Sequence, residues 1–305
     1  MARFCITLIL ATCVCFVKAE SVKVVYHILS EDGNPVTNAV VKTTTERDRL
    51  NISWTKPIKM KTWTVSSGND GRAISDFTCH SGYFEVEVSA DGFYPERLRD
   101  QHFAVRLNSS YFGYIFEERE KELTITLRRI INPADMVAHR FPEKTFPRRS
   151  GKFGFDLERC DWTAPFGAGK VADITLTYNL IFTNEMSRCS GSLSFNDSGG
   201  AYKLKKQKST SFVSVYEADS NAAYRTEFPF SSYCSYKDSR NYGAVLVAED
   251  DEYLVFRTRV VKDEKGNIVS ANYGKIYGGI RTVGFFGASA IYFNPAANDT
   301  NLEAK

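Results

Sequence analysis

Apolar and polar residues alternate along much of the first 130 residues, which is the pattern of half-buried β-strands. In residues 84–90 every second residue is apolar, so one face of the predicted strand is buried and the charged residues lie on the other. The other strands predicted in this part of the chain are residues 22–29, 39–41, 63–65 and 123–127. Asp-Gly and Asn-Pro turns separate these short strands, which predicts an antiparallel β-sandwich.

The same pattern of short strands returns after residue 152. Strands are predicted at residues 174–182, 192–195, 211–216, 244–247, 253–261, 268–276 and 290–293. The clearest hairpin joins residues 254–261 to residues 268–276, and Gly266 in its loop favours a positive φ angle.

Residues 131–152 carry three prolines and many charges, which disfavour a strand interior and predict a linker. Asn132 and Pro133 would begin one short helix, residues 134–139. The predicted fold class is therefore all-β, with two antiparallel β-sandwich-type domains in tandem, residues 20–130 and 153–305, and very little helix.

The first 19 residues have the order of a secretory signal peptide. Arg3 precedes an apolar run at residues 4–17, and Ala19 ends a small-residue cleavage site. The run is shorter than the 20 or so residues that a membrane-spanning helix needs, and no later segment is longer, so no transmembrane segment is predicted. The pattern indicates an exported protein. As an alternative, residues 10–13 resemble a lipobox, which would place a lipid anchor on Cys13.

The composition is that of a globular protein and excludes collagen, coiled-coil and disordered classes: 305 residues, 43% hydrophobic and 25% charged. Lys and Arg number 39 against 36 Asp and Glu, and Arg3 and Lys18 leave with the signal peptide. A nucleic-acid-binding protein usually has a clear basic excess, so nucleic acid is not an expected partner.

Four cysteines remain after residue 19, namely Cys79, Cys160, Cys189 and Cys234. None forms a Cys-x-x-Cys pair, which disfavours zinc binding and thioredoxin-like chemistry. An even number of cysteines in an exported protein favours disulfides, and we expect a bond between Cys189 and Cys234. Buried free thiols are the alternative.

Three motifs of the first domain together resemble a known family. They are Asp32-Gly33-x-Pro35-Val36-x-x-Ala39-x-Val41, Asp70-Gly71-x-Ala73, and Tyr83-Phe84-x-Val86-x-Val88-x-Ala90-x-Gly92-Phe93-Tyr94. Residues 21–130 resemble the carboxypeptidase regulatory-like domain, a prealbumin-like β-sandwich, although the long insertion between Val41 and Asp70 departs from it. The resemblance implies an accessory module of secreted and surface proteins and supplies no catalytic residues.

The remainder of the chain resembles the C-terminal region of uncharacterised secreted bacterial proteins. The residues that carry this resemblance are Asp161-Trp162-x-x-Pro165-x-Gly167-x-Gly169-Lys170-x-x-Asp173, the Gly266-Asn267 hairpin, and a tail that includes Asn294, Pro295, Asn298 and Asp299. The resemblance implies no activity.

Several catalytic motifs are excluded, and no cofactor or metal is expected. Residues 167–170 look like a phosphate-binding loop, but alanine stands at position 164 and valine at position 171, where that motif needs Gly and Ser or Thr. No His-Glu-x-x-His motif is present. The four histidines, His27, His80, His102 and His139, all precede residue 153, so a Ser-His-Asp triad within the second domain is impossible.

Paired carboxylates and aromatic rings remain as candidate chemistry. The candidate catalytic carboxylates are Asp156, Asp161, Asp173 and Glu249. Asp161 and Asp173 are more often turn and strand-edge residues than catalysts, and the acidic run at residues 249–252 is more often a solvated turn between two strands. The candidate sugar-stacking rings are Trp54, Trp63 and Trp162. The basic residues 203–208 are typical of an edge strand protected by lysines.

These features favour an exported, non-enzymatic binding or structural module of the cell envelope, with a glycan or another envelope component as its partner. The alternative is a glycan-active hydrolase that uses paired carboxylates of the second domain. A third interpretation, a surface adhesin for a protein partner, requires a large exposed apolar patch.

Overall fold

Strand pairing organises the chain into two units, Met1–Ile130 with Ser209–Ser211, and Ile131–Lys208 with Phe212–Lys305. The computed structural model describes residues 20–46, 60–79, 83–106, 114–116, 118–235, 242–245, 247–280, 282 and 284–305. These residues form strands, turns and irregular segments without a helix, which confirms the predicted all-β class. Among them, no helix has the length and apolar character needed to cross a bilayer. The predicted signal peptide and Cys13 lie outside the described residues.

The described part of the first unit contains nine strands. They are β1 Glu20–Ser30, β2 Val40–Glu46, β3 Met60–Ser66, β4 Arg72–Cys79, β5 Tyr83–Ser89, β6 Glu96–His102, β7 Ala104–Arg106, β8 Tyr114–Phe116 and β9 Glu120–Leu127. One sheet has the order β4-β1-β9, a second has the order β3-β2-β5-β6, and β7 pairs with β8. All pairs are antiparallel except β1 with β9, which is parallel and departs from the purely antiparallel expectation.

Alternation of buried and exposed side chains gives the first unit its core. Along β4, Ala73, Ser75, Phe77 and Cys79 point inward while the residues between them are exposed. Their partners in the core come from β1, β2, β5 and β9. The buried hydroxyl of Tyr26 forms a 2.6 Å hydrogen bond with the hydroxyl of Thr43.

The described part of the second unit contains thirteen strands. They are β10 Val137–Arg140, β11 Glu143–Thr145, β12 Ser150–Asp156, β13 Asp161–Trp162, β14 Ile174–Phe182, β15 Met186–Phe195, β16 Gly200–Lys205, β17 Glu227–Ser235, β18 Tyr242–Val245, β19 Glu252–Lys262, β20 Ile268–Tyr277, β21 Phe285–Gly287 and β22 Ala290–Phe293. The orders are β10-β22-β20-β19-β16 in a five-stranded sheet and β13-β12-β14-β15-β17-β18 in a six-stranded sheet, and β11 pairs with β21.

The five-stranded sheet is covered on both faces, so strand β19, which has a neighbour on each side, carries four consecutive buried residues. Leu254 and Phe256 pack against the six-stranded sheet in the main core. Tyr253 and Val255 belong to a second apolar cluster on the other face, which includes Leu302 near the chain end. The second unit is therefore a sandwich with a third layer of irregular chain.

A buried lysine anchors that third layer. The Nζ atom of Lys275 donates hydrogen bonds to Ser214 Oγ at 2.8 Å and to the carbonyl of Leu302 at 2.7 Å. The rings of Phe212, Tyr277 and Tyr292 surround the ammonium at centroid distances of 4.9, 5.1 and 4.8 Å. One side chain of β20 thus holds both segments that cover the sheet.

The structure confirms the predicted hairpin and corrects three local expectations. Strands β19 and β20 pair as expected, and Gly266 in their loop has a φ of +84°. Residues 131–152 form β10, β11 and the start of β12 instead of a linker, and β10 replaces part of the predicted helix. Residues 211–216 form no strand, because they belong to the irregular chain around the third layer.

We predict that Val255→Ala and Phe256→Ala both lower the free energy of unfolding, by at least about 2 kcal/mol each, because both side chains are fully buried. In a two-layer sandwich only one of these two neighbouring side chains would be buried, so only one of the two substitutions would lower the free energy of unfolding strongly. The measurement is equilibrium denaturation in urea. The matched control is Val261→Ala on the same strand, which is 56% exposed and should change stability by no more than about 0.5 kcal/mol.

Candidate functional site

Two of the predicted catalytic carboxylates, Asp156 and Asp173, lie close together but are buried at 1% exposure each. Backbone N–H groups donate to both of them. Asp156 accepts from Arg159, Lys170 and Val171 at 2.9, 2.8 and 3.2 Å. Asp173 accepts from Leu157 at 2.8 Å. Their oxygens therefore organise the loop at residues 157–172 instead of facing an open cleft.

Arg259 provides the positive charge for this pair. It lies at an irregularity of the β19–β20 ladder between Thr258 and Val261 and has a φ of +53°. Its guanidinium donates to both oxygens of Asp173 at 2.9 and 3.2 Å, to Asp156 at 3.4 Å and to Glu158 at 2.5 Å. We call these four residues the Arg259 cluster.

Burial and hydrogen bonding act in opposite directions on the ionisable groups of the Arg259 cluster. Burial raises the pKa of Asp173 above its ordinary value, and the hydrogen bonds from Arg259 and Leu157 offset this only in part. Burial acts to lower the pKa of Arg259, but its bonds to Asp173 and Glu158 raise it overall. The guanidinium therefore stays charged, which a buried carboxylate beside it requires.

Within the 157–172 loop, the backbone at Gly169 passes so close to the backbone of strand β13 that a glycine is needed. A Cβ atom on Gly169 would lie 2.7 Å from the carbonyl oxygen of Asp161 and 2.9 Å from that of Trp162. The Gly-x-Gly-Lys pattern of this segment is thus explained by backbone packing.

Two residues of the loop connect it to strand β11. Asp161 forms an ion pair with Lys144 at 3.1 Å, and the indole Nε1 of Trp162 donates to the carbonyl of Thr145 at 2.9 Å. Burial acts to raise the pKa of Asp161, but bonds from the Ala168 N–H and from Lys144 lower it overall. These bonds hold β11 in place.

Glu249 lies far from the Arg259 cluster. It is exposed in the turn before β19, and about seven strand residues, roughly 23 Å, separate the start of β19 from Arg259. The neighbouring acids pair with the predicted basic edge strand β16: Lys203 lies 3.5 Å from Glu252, and Lys205 lies 2.9 Å from Asp251. Asp251 and Glu252 therefore neutralise the lysines of β16.

The three tryptophans expected to be sugar platforms differ in how far the structure exposes or describes them. Trp162 is 4% exposed and packs among the rings of Phe146, Phe153 and Phe155, so the expectation of an accessible ring is wrong there. Trp63 is half-buried and lies 5.2 Å from the ring of Phe77. Trp54 lies outside the described residues.

The expected disulfide is not present in the structure. Cys189 is an unbonded, buried thiol that donates to the carbonyl of Thr282 at 3.3 Å. Its directly opposite partner on β17 is Ser232, whereas Cys234 lies opposite Ser187. The side chain of Cys234 lies outside the described residues.

A separate open pocket lies where the β10–β11 corner meets the loop before β21. Its volume is about 130 Å³, and its lining residues are Phe141, Glu143, Asp250, Gly279, Phe285, Gly287, Ala288 and Ser289. Phe141 is 79% exposed and has a φ of +49°, a conformation that is strained for a bulky side chain. We call this site the Phe141 pocket.

Both carboxylates of the Phe141 pocket lack a hydrogen-bond or ion-pair partner among the residues that the structure describes. Glu143 and Asp250 are exposed, and the nearby Lys206 ammonium contacts the carbonyl of Asp250 instead of its carboxylate. A Cβ atom on Gly279 would lie 2.5 Å from Asp250 Oδ1, so glycine at this position leaves room for the carboxylate.

Three of the backbone N–H groups at the pocket already donate to protein carbonyls. Phe141 donates to the carbonyl of Ser289, Ala288 to that of Pro142, and Gly279 to that of Glu249. The Ser289 hydroxyl donates to the carbonyl of Gly278 at 2.7 Å, which leaves its oxygen as an acceptor. The pocket thus offers acceptors and aromatic rings to a ligand.

Sequence reasoning did not select the Phe141 pocket. Phe141 and Glu143 fall in the segment predicted to be a linker, and Asp250 falls in an acidic run interpreted as a turn. Strand pairing of β10 with β22 and of β11 with β21 assembles the site from distant segments. The Phe-Pro pair at residues 141 and 142 does not indicate the pocket either, because the same pair at residues 146 and 147 carries a buried ring.

In the described ranges, no group of three or more His, Cys, Asp or Glu side chains is arranged to hold a metal ion.

Comparisons with known proteins assign no family to the chain. No protein-family model matches it, and no curated protein matches it. The resemblance of residues 21–130 to the carboxypeptidase regulatory-like domain therefore remains a prediction.

Three solved structures show weak likeness. A 3-chlorocatechol 1,2-dioxygenase from Rhodococcus opacus 1CP is 13% identical over 37% of this chain and 61% of its own, with a TM-score of 0.25. The full-length major pilin SpaD from Corynebacterium diphtheriae is 11% identical over 88% and 91%, with a TM-score of 0.27. A putative membrane-associated protein of unknown function from Bacteroides fragilis NCTC 9343 is 9% identical over 92% and 99%, with a TM-score of 0.21. These likenesses assign neither a fold family nor an activity.

We predict that Arg259→Met lowers the free energy of unfolding at pH 7 by about 3–5 kcal/mol, because it leaves the buried Asp173 carboxylate without its counter-charge. Loss of the guanidinium raises the folded-state pKa of Asp173 further. When the folded-state pKa of a carboxyl group is raised, its full contribution to the free energy of unfolding is present only below its unfolded-state pKa. That contribution is lost as the pH rises through the folded-state pKa. The variant should therefore regain stability as the pH falls from about 7 to about 4.

Urea denaturation across this pH range provides the measurement, with Arg188→Met, an exposed arginine on β15, as the matched control. The double variant Arg259→Met/Asp173→Asn should recover part of the loss at pH 7, since it removes the unpaired charge. A loss below about 1 kcal/mol with an unchanged pH dependence would show that the Arg259 cluster does not stabilise the unit.

We predict that Cys160 does not react with a thiol reagent in the folded protein at pH 8. Burial raises the pKa of Cys160 to about 11, so roughly one thiol in a thousand is ionised at that pH. Iodoacetamide labelling read by peptide mass spectrometry should modify Cys160 only after denaturation. Rapid labelling of Cys160 in the folded protein would contradict its buried placement.

Proposed function

We propose that the chain is an exported, non-catalytic binding protein of the cell envelope, and that the Phe141 pocket holds a carbohydrate ligand. The observation that carries this proposal is the exposed ring of Phe141 beside a set of unused hydrogen-bond acceptors. Sugars present apolar C–H faces to aromatic rings and hydroxyl donors to acceptors. The pocket supplies both kinds of contact within one small space.

The geometry of the Arg259 cluster favours binding over hydrolysis. A glycosidase needs one carboxyl group as acid and a second as base or nucleophile, both facing the bound sugar. Asp156 and Asp173 instead accept bonds from backbone N–H groups and Arg259, and Asp161 accepts bonds from Ala168 and Lys144. These carboxylates have structural partners, which supports a non-catalytic role for them.

The volume of the pocket supports a ligand that inserts a single small group. At about 130 Å³ it is smaller than the roughly 300–1,000 Å³ of pockets that enclose a drug-sized molecule. One terminal or side-branch sugar of a longer glycan fits this description. Export is supported by the signal-like pattern of residues 1–19, which is typical of secreted and envelope proteins.

We predict that the purified protein, beginning at Glu20, binds members of a panel of neutral, acidic and amino glycans without cleaving them. Phe141→Ala should weaken binding at least tenfold, because it removes the stacking ring, and should leave the thermal midpoint close to that of the parent protein. Phe182→Ala is the matched control, since Phe182 is 60% exposed on β14 outside the pocket. Binding is measured by isothermal titration calorimetry and cleavage by mass spectrometry of the glycans.

Two outcomes would contradict the proposal. Release of shorter glycans that is lost in Glu143→Gln would make the protein a hydrolase acting from the Phe141 pocket. Absence of binding to every glycan of the panel would remove the carbohydrate ligand.

A further inference from the structure

The charge of the Phe141 pocket restricts which ligands it can hold. Glu143 and Asp250 bring two carboxylates to a space of about 130 Å³, and neither has a hydrogen bond or ion pair within the described residues. A neutral ligand would displace water from both carboxylates without supplying a counter-charge, which is unfavourable. A ligand with a positive charge and several N–H donors would compensate both groups.

The remaining lining groups also favour a cation. Phe141 and Phe285 present aromatic rings, which attract an ammonium group placed over their faces. Ser289 offers an acceptor oxygen, and the N–H groups of Phe141, Gly279 and Ala288 already donate to protein carbonyls. The two carboxylates, the two rings and the Ser289 oxygen therefore all interact favourably with a protonated amine.

A metal ion fits this site poorly. Calcium takes six to eight oxygen ligands and magnesium six, whereas the pocket has two carboxylates and two aromatic rings. The arrangement matches an organic ammonium group, which bonds to carboxylates and contacts rings at the same time.

We infer that the Phe141 pocket recognises a protonated amino sugar, a deacetylated 2-amino-2-deoxyhexose at the end or on a side branch of a glycan chain. This inference rests on the proposed carbohydrate-binding function and narrows it to one class of sugar. The ammonium group pairs with Glu143 and Asp250, the C–H face of the ring stacks on Phe141, and the hydroxyl groups donate to Ser289.

A lysine side chain of a protein partner would offer the same ammonium group, but the surroundings of the pocket favour a sugar. A stable protein interface buries about 800 Å² on each partner around a well-packed apolar centre. Phe141 is the one large, strongly exposed hydrophobic residue of the described pocket lining. The other large hydrophobic residues of the described second unit that are exposed lie outside the pocket lining: Ile131, Phe166, Ile181, Phe182, Tyr233, Val261, Ile268 and Val269.

The test compares a glucosamine tetramer with its fully N-acetylated counterpart, because acetylation removes the positive charge and keeps the sugar backbone. The parent protein should bind the glucosamine tetramer at least tenfold more tightly in calorimetric titrations. Glu143→Gln and Asp250→Asn should each reduce that affinity about tenfold, and Glu264→Gln, an exposed acid of the β19–β20 turn, should leave it unchanged. Raising the salt from about 20 to about 300 mM should weaken binding to the parent protein.

The outcomes separate this inference from the proposed function. Equal affinity for both tetramers, or preference for the acetylated one, would overturn the amino-sugar inference and leave carbohydrate binding intact. No binding to either tetramer or to any other glycan would overturn both. Tetralysine that binds as tightly as the glucosamine tetramer, with the same sensitivity to Glu143→Gln, would reassign the pocket to peptide ammonium groups. Wild-type affinity in both pocket variants would also overturn the inference.

Discussion

The pairing of Arg259 with the buried carboxylates of Asp156 and Asp173 is the interaction on which the second unit depends. Those carboxylates are almost completely buried, and removing charge from water is costly unless a partner is present. Arg259 supplies that partner from an irregular position in strand β19. Because the same carboxylates accept backbone N–H groups of the 157–172 loop, one guanidinium determines the course of that whole segment.

The Arg259 cluster also supports the Phe141 pocket, because the 157–172 loop connects the two. Asp161 and Trp162, which the loop positions, hold β11 by an ion pair to Lys144 and a hydrogen bond to Thr145. Strand β11 begins with Glu143, and its partner β21 begins with Phe285. The buried carboxylates of the Arg259 cluster thus have a structural role. They support a different pair of carboxylates, Glu143 and Asp250, which remain open to a ligand.

Local sequence predicts strands well where apolar residues alternate or cluster. The expected strands at residues 174–182 and 290–293 coincide with β14 and β22. Strand β4 escaped prediction because its inward positions include Ala73 and Ser75, whose side chains give a weak hydrophobic signal. The pocket could not be predicted, since the partners of β10 and β11 lie about 140 to 156 residues away and no local pattern specifies that pairing. Asp156 and Asp173 stand out in the sequence as candidate carboxylates, but no local pattern indicates the arginine that they share, because Arg259 lies about 90 to 100 residues further along the chain.

The most direct test of this account is hydrogen–deuterium exchange of the full protein with and without the glucosamine tetramer. The account predicts that the ligand slows exchange in residues 139–145 and 284–289, which contribute to the Phe141 pocket, and leaves the 157–172 loop unchanged. Protection confined to the 157–172 loop, or to the first unit, would contradict it, because the ligand would then bind away from the Phe141 pocket.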